Sequence, residues 1–228
     1  MISKLPRWAW FGGIVLTCVA GMINAVAFLS FQHQGVTHLT GSTTLFGIAV
    51  TQGDFRTSAH LAATAAAFIG GCIISGAIVQ DSTLQLDRRY GVALTIESLL
   101  LFCAVPLLDR HQAWGAYLAS CACGLQNGMA STFSGAVLRT THVSGAFTDL
   151  GIFLGHLIRG ISVDLRRVRL CLTLIGGFLL GSCLGAAGHT LFGNHVLYFP
   201  ASAIGAAGAA YAVYRHIRLQ RKLTGAES

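Results

Sequence analysis

Long apolar stretches alternate with short polar ones along the whole chain. Six of the apolar stretches are each long enough to form a helix that crosses about 30 Å of hydrocarbon. Two of the separating segments contain a further apolar run that is too short to cross. The pattern predicts an all-α polytopic membrane protein. We expect its six transmembrane helices near residues 8–30, 57–79, 90–108, 113–133, 170–190 and 196–214.

A twelve-residue motif occurs twice, at residues 37–48 and 141–152. Both copies contain Thr, His, Gly, Thr, Gly and Ile at one constant offset, and each follows an apolar stretch that ends in a glycine and an asparagine. A duplication over this distance indicates two fused repeats, residues 1–110 and 111–228. Each repeat would hold three transmembrane helices, so the sequence predicts two inverted three-helix repeats, a common plan in transporters.

The motif segments, residues 37–52 and 140–157, are predicted to be broken or re-entrant because their apolar parts are too short to span. If both return to the side they leave, most basic residues fall on one side, which the positive-inside rule identifies as cytoplasmic. Both termini are then cytoplasmic. If both segments cross fully, eight elements span and Arg88 and Arg89 move outside. The first arrangement makes these segments cytoplasmic: 1–7, 80–90, 136–142, 158–169 and 215–228.

Composition supports a membrane protein and narrows the function. Hydrophobic residues make up 54% of the chain and charged residues 10%, with a mean hydropathy of +0.65; a soluble domain carries about a quarter charged residues. The net charge of +7 lies in loops and termini, so no nucleic-acid partner is expected. The seven cysteines are predicted to be small, buried packing residues, and no metal site or cofactor is expected. No HExxH, phosphate-loop or nucleophile-elbow pattern occurs, so the protein is not expected to be an enzyme.

The repeated motif supplies the candidate solute site. A helix that begins within the membrane exposes backbone N–H groups at its N-terminus, which favours an anion or a polar solute. Thr40 and Ser144 are predicted N-caps, and His38 and His142 precede them. The alternative is that each histidine only ties its loop to a neighbouring helix, and that the asparagines only bond between helices. The candidate substrate-binding residues are Asn24, His38, Thr40, Gly41, Thr44, Asn127, His142, Ser144, Gly145 and Thr148.

Two acidic residues are candidates for proton or ion coupling. Glu97 lies in the middle of an apolar helix, and Asp149 takes the place in the second motif that Leu45 has in the first. An ionisable residue within a membrane is a functional candidate by default. We expect Glu97 to face the protein interior. A structural ion pair is the alternative role for both residues.

The residues around the first motif resemble a known family. They form three runs: Gly21-x-x-Asn24-Ala25, Val36-Thr37-His38-Leu39-Thr40-Gly41-Ser42-Thr43 and Gly47-Ile48-Ala49. This is similar to the signature of the YoaK-type (DUF1275) family of bacterial inner-membrane proteins, in which Gly-x-x-Asp-Ala precedes Ser-His-Met-Thr-Gly-Asn-Thr. The resemblance covers nearly the whole chain. It implies a multi-pass protein of the bacterial inner (cytoplasmic) membrane, but no activity. Asn24 stands where the family commonly has aspartate, and Ser42 where it has asparagine, so no role in ion coupling is carried over to them.

The function expected from these features is transport of a small polar solute, with an anion as one candidate. The site would lie between the two repeats near the bilayer midplane. A passive channel is the first alternative, because re-entrant half-helices also suit pores. A membrane enzyme, or a non-transport subunit of a larger assembly, is the alternative from another class. The expected partners are the lipid bilayer and the solute, and homo-oligomerisation stays open.

Overall fold

The computed structural model describes residues 7–30, 34–79, 88–135 and 138–223. These residues form eight α-helices, one short 3-10 helix and no β-strand, which confirms the all-α class. The termini and most of the 80–90 loop, to which the predicted topology also refers, lie outside the described residues. The helices are α1 (Arg7–Ser30), α2 (Leu39–Thr51), α3 (Phe55–Val79), α4 (Arg88–Asp109), α5 (Ala113–Ser134), α6 (Val143–Ile158), α7 (Leu165–Phe192) and α8 (Tyr198–Leu223), with the 3-10 helix Gly193–Leu197 between the last two.

Four stretches of the described chain are long and apolar enough to cross a membrane. They are Trp10–Ser30, Phe55–Val79, Arg89–Asp109 and Leu165–Tyr214. The last is 50 residues long and contains α7 and most of α8. The protein is therefore a multi-pass membrane protein.

Helix α5 is not among these four stretches, because its polar residues lower its hydropathy, and it occupies the centre of the bundle. Thirteen of its 22 residues are buried, and it packs against both α3 and α4. A helix that its neighbours shield from lipid can carry Gln126, Asn127 and several serines, which a lipid-facing helix would have to avoid.

A polar cluster fixes the direction of the helices. Ser30 Oγ, at the end of α1, donates to Asn194 Oδ1, and Asn194 Nδ2 donates to Asp109 Oδ1 at the end of α4 over 3.0 Å. Asn194 lies two residues after the end of α7, so α1, α4 and α7 all finish at this end of the bundle, which we call end B. Helices α5 and α8 follow α4 and α7 closely in the chain and run back to the opposite end, end A. Helix α3 runs parallel to α5, because His60 and Tyr117 are bonded near end B.

Helix α1, the first helix of the first half, packs in parallel against α7 of the second half. Helix α5, the first helix of the second half, packs in parallel against α3 of the first half, and the two pairs make matching contacts. A Cβ added to Gly71 of α3 would overlap the carbonyl oxygen of Cys121 in α5, and one added to Gly181 of α7 would overlap that of Cys18 in α1. Small residues of this kind let helix backbones approach closely within a membrane.

Side-chain hydrogen bonds repeat in the same two places. Cys72 Sγ donates to the carbonyl oxygen of Gly124 at 3.2 Å, and Ser182 Oγ donates to that of Gly21 at 3.3 Å. These contacts make Gly181 the counterpart of Gly71. The two Ile-Gly-Gly runs of the sequence, at residues 69–71 and 175–177, would instead pair Gly71 with Gly177, about one turn before Gly181. The two pairings resemble each other because residues one turn apart lie on the same helix face.

The first motif segment returns to the end from which it starts. Ser120 Oγ donates to the carbonyl oxygens of Val36 and Thr64, at 3.2 and 2.9 Å. Ser120 is the eighth residue of α5, so Val36 lies roughly 10 Å inside the bundle from end B at 1.5 Å per residue. Helix α2 then leads back to end B, where it packs against α3.

The second motif segment behaves in the same way at end A. Leu138 packs beside Gly13 near the start of α1, and α6 then packs against α7. Six linking residues join α6 to α7, which starts at end A. Neither α2 nor α6 traverses the bundle.

An aspartate precedes each helix that follows a motif segment. Asp54 Oδ1 accepts from the Thr57 N–H at the start of α3, and Asp164 Oδ1 accepts from the Arg166 N–H at the start of α7, both at 3.0 Å. The hydrogen bonds from Thr57 hold the pKa of the Asp54 carboxyl below its ordinary value. The predicted basic loop is wrong in part, because Arg166, Arg167 and Arg169 lie within α7. The charged first turn of α7 can extend beyond the hydrocarbon region of the membrane, where its arginines remain hydrated.

The cysteines follow the prediction in part. Cys123 and Cys171 are buried, and Cys18, Cys72 and Cys121 are half-buried, but two others are exposed: Cys103 and Cys183. Their exposure contradicts the expected burial of all seven. An outward-facing cysteine in a membrane helix meets lipid, and a small apolar side chain loses nothing there.

Candidate functional site

A carboxyl group lies at the centre of the bundle. Glu97 of α4 is 0% exposed, and neither of its carboxyl oxygens has a hydrogen-bond partner among the described residues. This confirms that Glu97 faces the interior. Buried polar groups in proteins are nearly always bonded, so an exception of this kind calls for a functional explanation.

Glu97 lies level with a polar turn of α5. The antiparallel helices α4 and α5 meet through Tyr90 and Phe133 near end A, and through Leu108 and Gly115 near end B. Glu97, between these contacts, is close enough to Cys123 to interact with it electrostatically. One turn after Cys123 comes the buried Gln126, which is not among the candidate residues predicted from the sequence.

Gln126 and Asn127 offer hydrogen-bond acceptors to the interior. Gln126 Nε2 donates to the carbonyl oxygen of Leu16 on α1 at 2.7 Å. This bond leaves Gln126 Oε1 buried without a partner, and Asn127 Oδ1 is in the same state. Glu97 and Gln126 thus leave unused acceptors at one level of the bundle, and Asn127 adds another at the next position of α5.

The first motif folds around its own histidine. Asn24 Oδ1 accepts from the Thr37 N–H at 3.2 Å, which ties the motif to α1. The His38 ring lies against the backbone of Gly35 and Gly41, so closely at Gly35 that a Cβ there would overlap it. Thr37 is buried and its hydroxyl has no partner among the described residues.

The second motif makes a corresponding arrangement. The His142 ring lies against Gly145, where an added Cβ would overlap it. A cavity of about 210 Å³ beside it is also lined by Arg139 and Asp149. Asp149 is exposed, so it lies at the periphery and not in the bundle core with Glu97.

The predicted N-caps are wrong by two residues. Helices α2 and α6 begin at Leu39 and Val143, so His38 and His142 occupy the N-cap positions, without a side-chain capping bond. Thr40 and Ser144 are within the first turn. Their carbonyl oxygens accept from the hydroxyls one turn later, of Thr44 at 3.1 Å and of Thr148 at 3.0 Å.

The structure places the two motif clusters in different parts of the bundle. The first cluster lies with α1 and α3 towards end B, and the second lies with α7 towards end A. The exposed His38 and His142 thus each contact their own motif. A single site that both histidines share stays a prediction. The structure brings Asn24 and His38 together, and His142 and Gly145 together.

Sequence reasoning missed the polar cluster at end B. Besides Ser30, Asn194 and Asp109, it contains His189, whose Nε2 lies 3.3 Å from Ser30 Oγ, and His195, whose Nε2 lies 3.0 Å from Asp109 Oδ2. Each residue had been assigned to a helix end or a loop. Nothing in the sequence indicates that these ends meet.

A family model described as "Protein of unknown function (DUF1275)" matches residues 12–210. The chain belongs to the DUF1275 family. The match begins within α1 and ends within α8, so both motif segments and the central carboxyl lie inside the DUF1275 region. No curated protein and no solved structure matches the chain. The suspected family is therefore confirmed.

The central polar groups of this DUF1275 protein can perform a limited chemistry. They consist of one carboxyl and two amides, and the buried side chains of the described residues include no lysine or arginine. The described residues contain no group of three metal-ligating side chains. The arrangement can accept hydrogen bonds and hold or release a proton at Glu97.

Proposed function

We propose that this protein transports a small polar solute across the bacterial inner membrane, through a site at the centre of the bundle between its two halves. In this proposal the halves are inverted repeats, and α2 and α6 are re-entrant. The opposed directions of α1 and α5 and the matching contacts of the α1–α7 and α3–α5 pairs support the inverted arrangement.

The observation that carries the proposal is the buried, unpartnered carboxyl of Glu97, at the level of Gln126 in the bundle. A charged group within a membrane is costly and is retained where it serves a path or a proton relay. A structural role would give the carboxyl a partner, since an unpaired buried polar group destabilises a fold by about 1–3 kcal/mol. Glu97 has none among the described residues.

The polarity of the core indicates the class of solute. The unused atoms of Glu97, Gln126 and Asn127 are hydrogen-bond acceptors, so they suit a solute rich in N–H or O–H donors. A carboxylate would repel an anion. The core therefore supports a neutral or cationic solute over the anion that the motif alone suggested.

A ligand screen tests this function. We expect at least one small donor-rich solute to raise the thermal midpoint of the purified protein, by the mass action of a ligand that binds only the folded state. Small anions, sugars, amines and metal cations should be compared at equal concentration. Stabilisation by anions alone would contradict the proposed site chemistry, and stabilisation by no member of the panel would argue against a solute site.

The proposed orientation places end A in the cytoplasm. Among the described residues, Arg56 and Arg110 lie towards end B, whereas most other arginines lie towards end A, in accord with the positive-inside rule. In a cysteine-free variant, a cysteine at Ser82 should resist an impermeant maleimide added to intact cells. A cysteine at the exposed Gln112, in the α4–α5 turn, should react. Labelling at Ser82 from outside would overturn the six-span topology.

A further inference from the structure

A separate cavity of about 350 Å³ lies at end A between α1, α4, α5 and α8. Its lining is almost entirely hydrocarbon and includes Phe11, Leu16, Met129 and Ala207. Phe11 is 70% exposed and Ala207 is exposed, so the cavity opens on the outer surface of the bundle. In a membrane that surface faces lipid, and we call this space the α1–α8 cleft.

The cleft exists because α8 stands away from α1. Helix α5 is the counterpart of α1, and Gly115 near its start packs so closely on α4 that an added Cβ would lie 2.7 Å from the Leu108 nitrogen. The corresponding position near the start of α1 is Gly12, where an added Cβ would meet nothing within 4 Å. Among the described side chains, α4 therefore covers the start of α5, whereas α8 leaves Gly12 of α1 open.

The cleft is lined by few polar groups, among them the hydroxyls of two threonines. The Thr17 hydroxyl donates to the carbonyl oxygen of Gly13 at 2.6 Å. Thr140 also lines the cleft; it is 1% exposed, and its hydroxyl has no partner among the described residues. Such a lining would not hold a polar solute, which would lose its hydration without replacement hydrogen bonds.

Basic side chains accompany the cleft at end A. Arg139 directly precedes Thr140 and lines the neighbouring cavity of the second motif, which shares Leu174 with the cleft. Arg89 directly precedes Tyr90, another lining residue; both arginines are exposed. Anionic headgroups attract basic residues at a membrane surface, at about 1 kcal/mol per residue. An occupant with an apolar chain and a negative head would match both the lining and its surroundings.

We propose that the α1–α8 cleft binds one acyl chain of an anionic phospholipid. The chain fills the space between Gly12 and Ala207, the Thr140 hydroxyl donates to an ester or phosphate oxygen, and Arg139 faces the headgroup phosphate. The bound chain holds α8 away from α1. This site is distinct from the central polar groups and goes beyond the proposed solute transport.

Native mass spectrometry of the full chain tests the proposal. The protein is delipidated in detergent and offered equal amounts of phosphatidylglycerol and phosphatidylcholine. We expect retention of one phosphatidylglycerol in preference to phosphatidylcholine. Arg139→Gln should reduce that preference about fivefold, the effect of one basic residue near an anionic headgroup, and Thr140→Val should weaken retention of both lipids.

Side chains that fill the cleft should abolish lipid retention. Gly12→Leu and Ala207→Leu place side chains into the cleft, whereas Gly70→Leu adds the same side chain on α3, where a Cβ also meets nothing within 4 Å. If Gly12→Leu does not fold, Ala207→Leu alone makes the comparison. Equal lipid retention by the filled variants and the Gly70→Leu control would overturn the proposal, as would equal retention of the two lipids by wild type. Because no solute is involved in this experiment, neither result bears on the transport proposal, which the ligand screen tests.

Discussion

Gly71→Ala destabilises the protein strongly, whereas Gly70→Ala at the adjacent position does not. The added methyl group at position 71 overlaps the carbonyl oxygen of Cys121, and the one at position 70 meets nothing within 4 Å. Overpacking a close helix contact costs about 1–3 kcal/mol, while replacing an open helical glycine by alanine gains up to roughly 1 kcal/mol. The thermal midpoints of the two variants in the same detergent measure the difference.

The second half offers the same comparison, which tests whether the matching contact in α7 has the same effect on stability. Gly181→Ala overlaps the carbonyl oxygen of Cys18, whereas Gly176→Ala on the same helix meets nothing within 4 Å. We expect the destabilisation at position 181 to match that at position 71. If position 176 proves as sensitive as position 181, the α1–α7 contact described above is incorrect.

We expect Glu97→Gln to abolish proton-coupled uptake and to leave the fold intact. Glutamine keeps the shape and the hydrogen-bonding capacity of a protonated carboxyl, but it cannot release a proton. Wild-type uptake should respond to an imposed proton gradient, and the Gln variant should not. Uptake into proteoliposomes with and without the gradient is the measurement.

Two controls separate coupling from structure in that experiment. Glu97→Asp retains an acid and should retain a response to the gradient. Ser98→Ala removes a neighbouring buried hydroxyl, which donates to the Ala201 carbonyl oxygen at 2.7 Å, without changing any titratable group. Unaltered gradient dependence in Glu97→Gln would reduce Glu97 to a structural residue. A Gln variant that fails to accumulate would indicate a structural role as well.

The hydrophobic pattern predicted most of the helix boundaries, because apolar length is a direct requirement of a membrane span. The pattern misplaced a boundary where a helix contains charged residues. Helix α7 begins at Leu165 and not near residue 170, since its first turn carries arginines that were interpreted as loop. The motif helices begin at Leu39 and Val143 because their preceding histidines, and not Thr40 and Ser144, occupy the caps.

Contacts between the halves could be predicted only in outline. The sequence showed the small residues of α3 and α7, but a helix face alone does not fix the register of a contact, so Gly177 was paired where Gly181 belongs. Glu97 could be assigned to the interior from its apolar neighbours. Its position level with Gln126, and the difference between Gly12 and Gly115, depend on how the helices pack, which a single sequence does not encode locally.

Proton movement into sealed vesicles tests the central claim most directly. Proteoliposomes that enclose a pH-sensitive dye are exposed to each solute that stabilises the protein, with wild type and Glu97→Gln reconstituted at equal density. We expect at least one solute to drive a change of internal pH through the wild type, and the Gln variant to show none. An equal change of internal pH in both proteins would contradict the claim that Glu97 carries the coupled proton at the centre of this bundle.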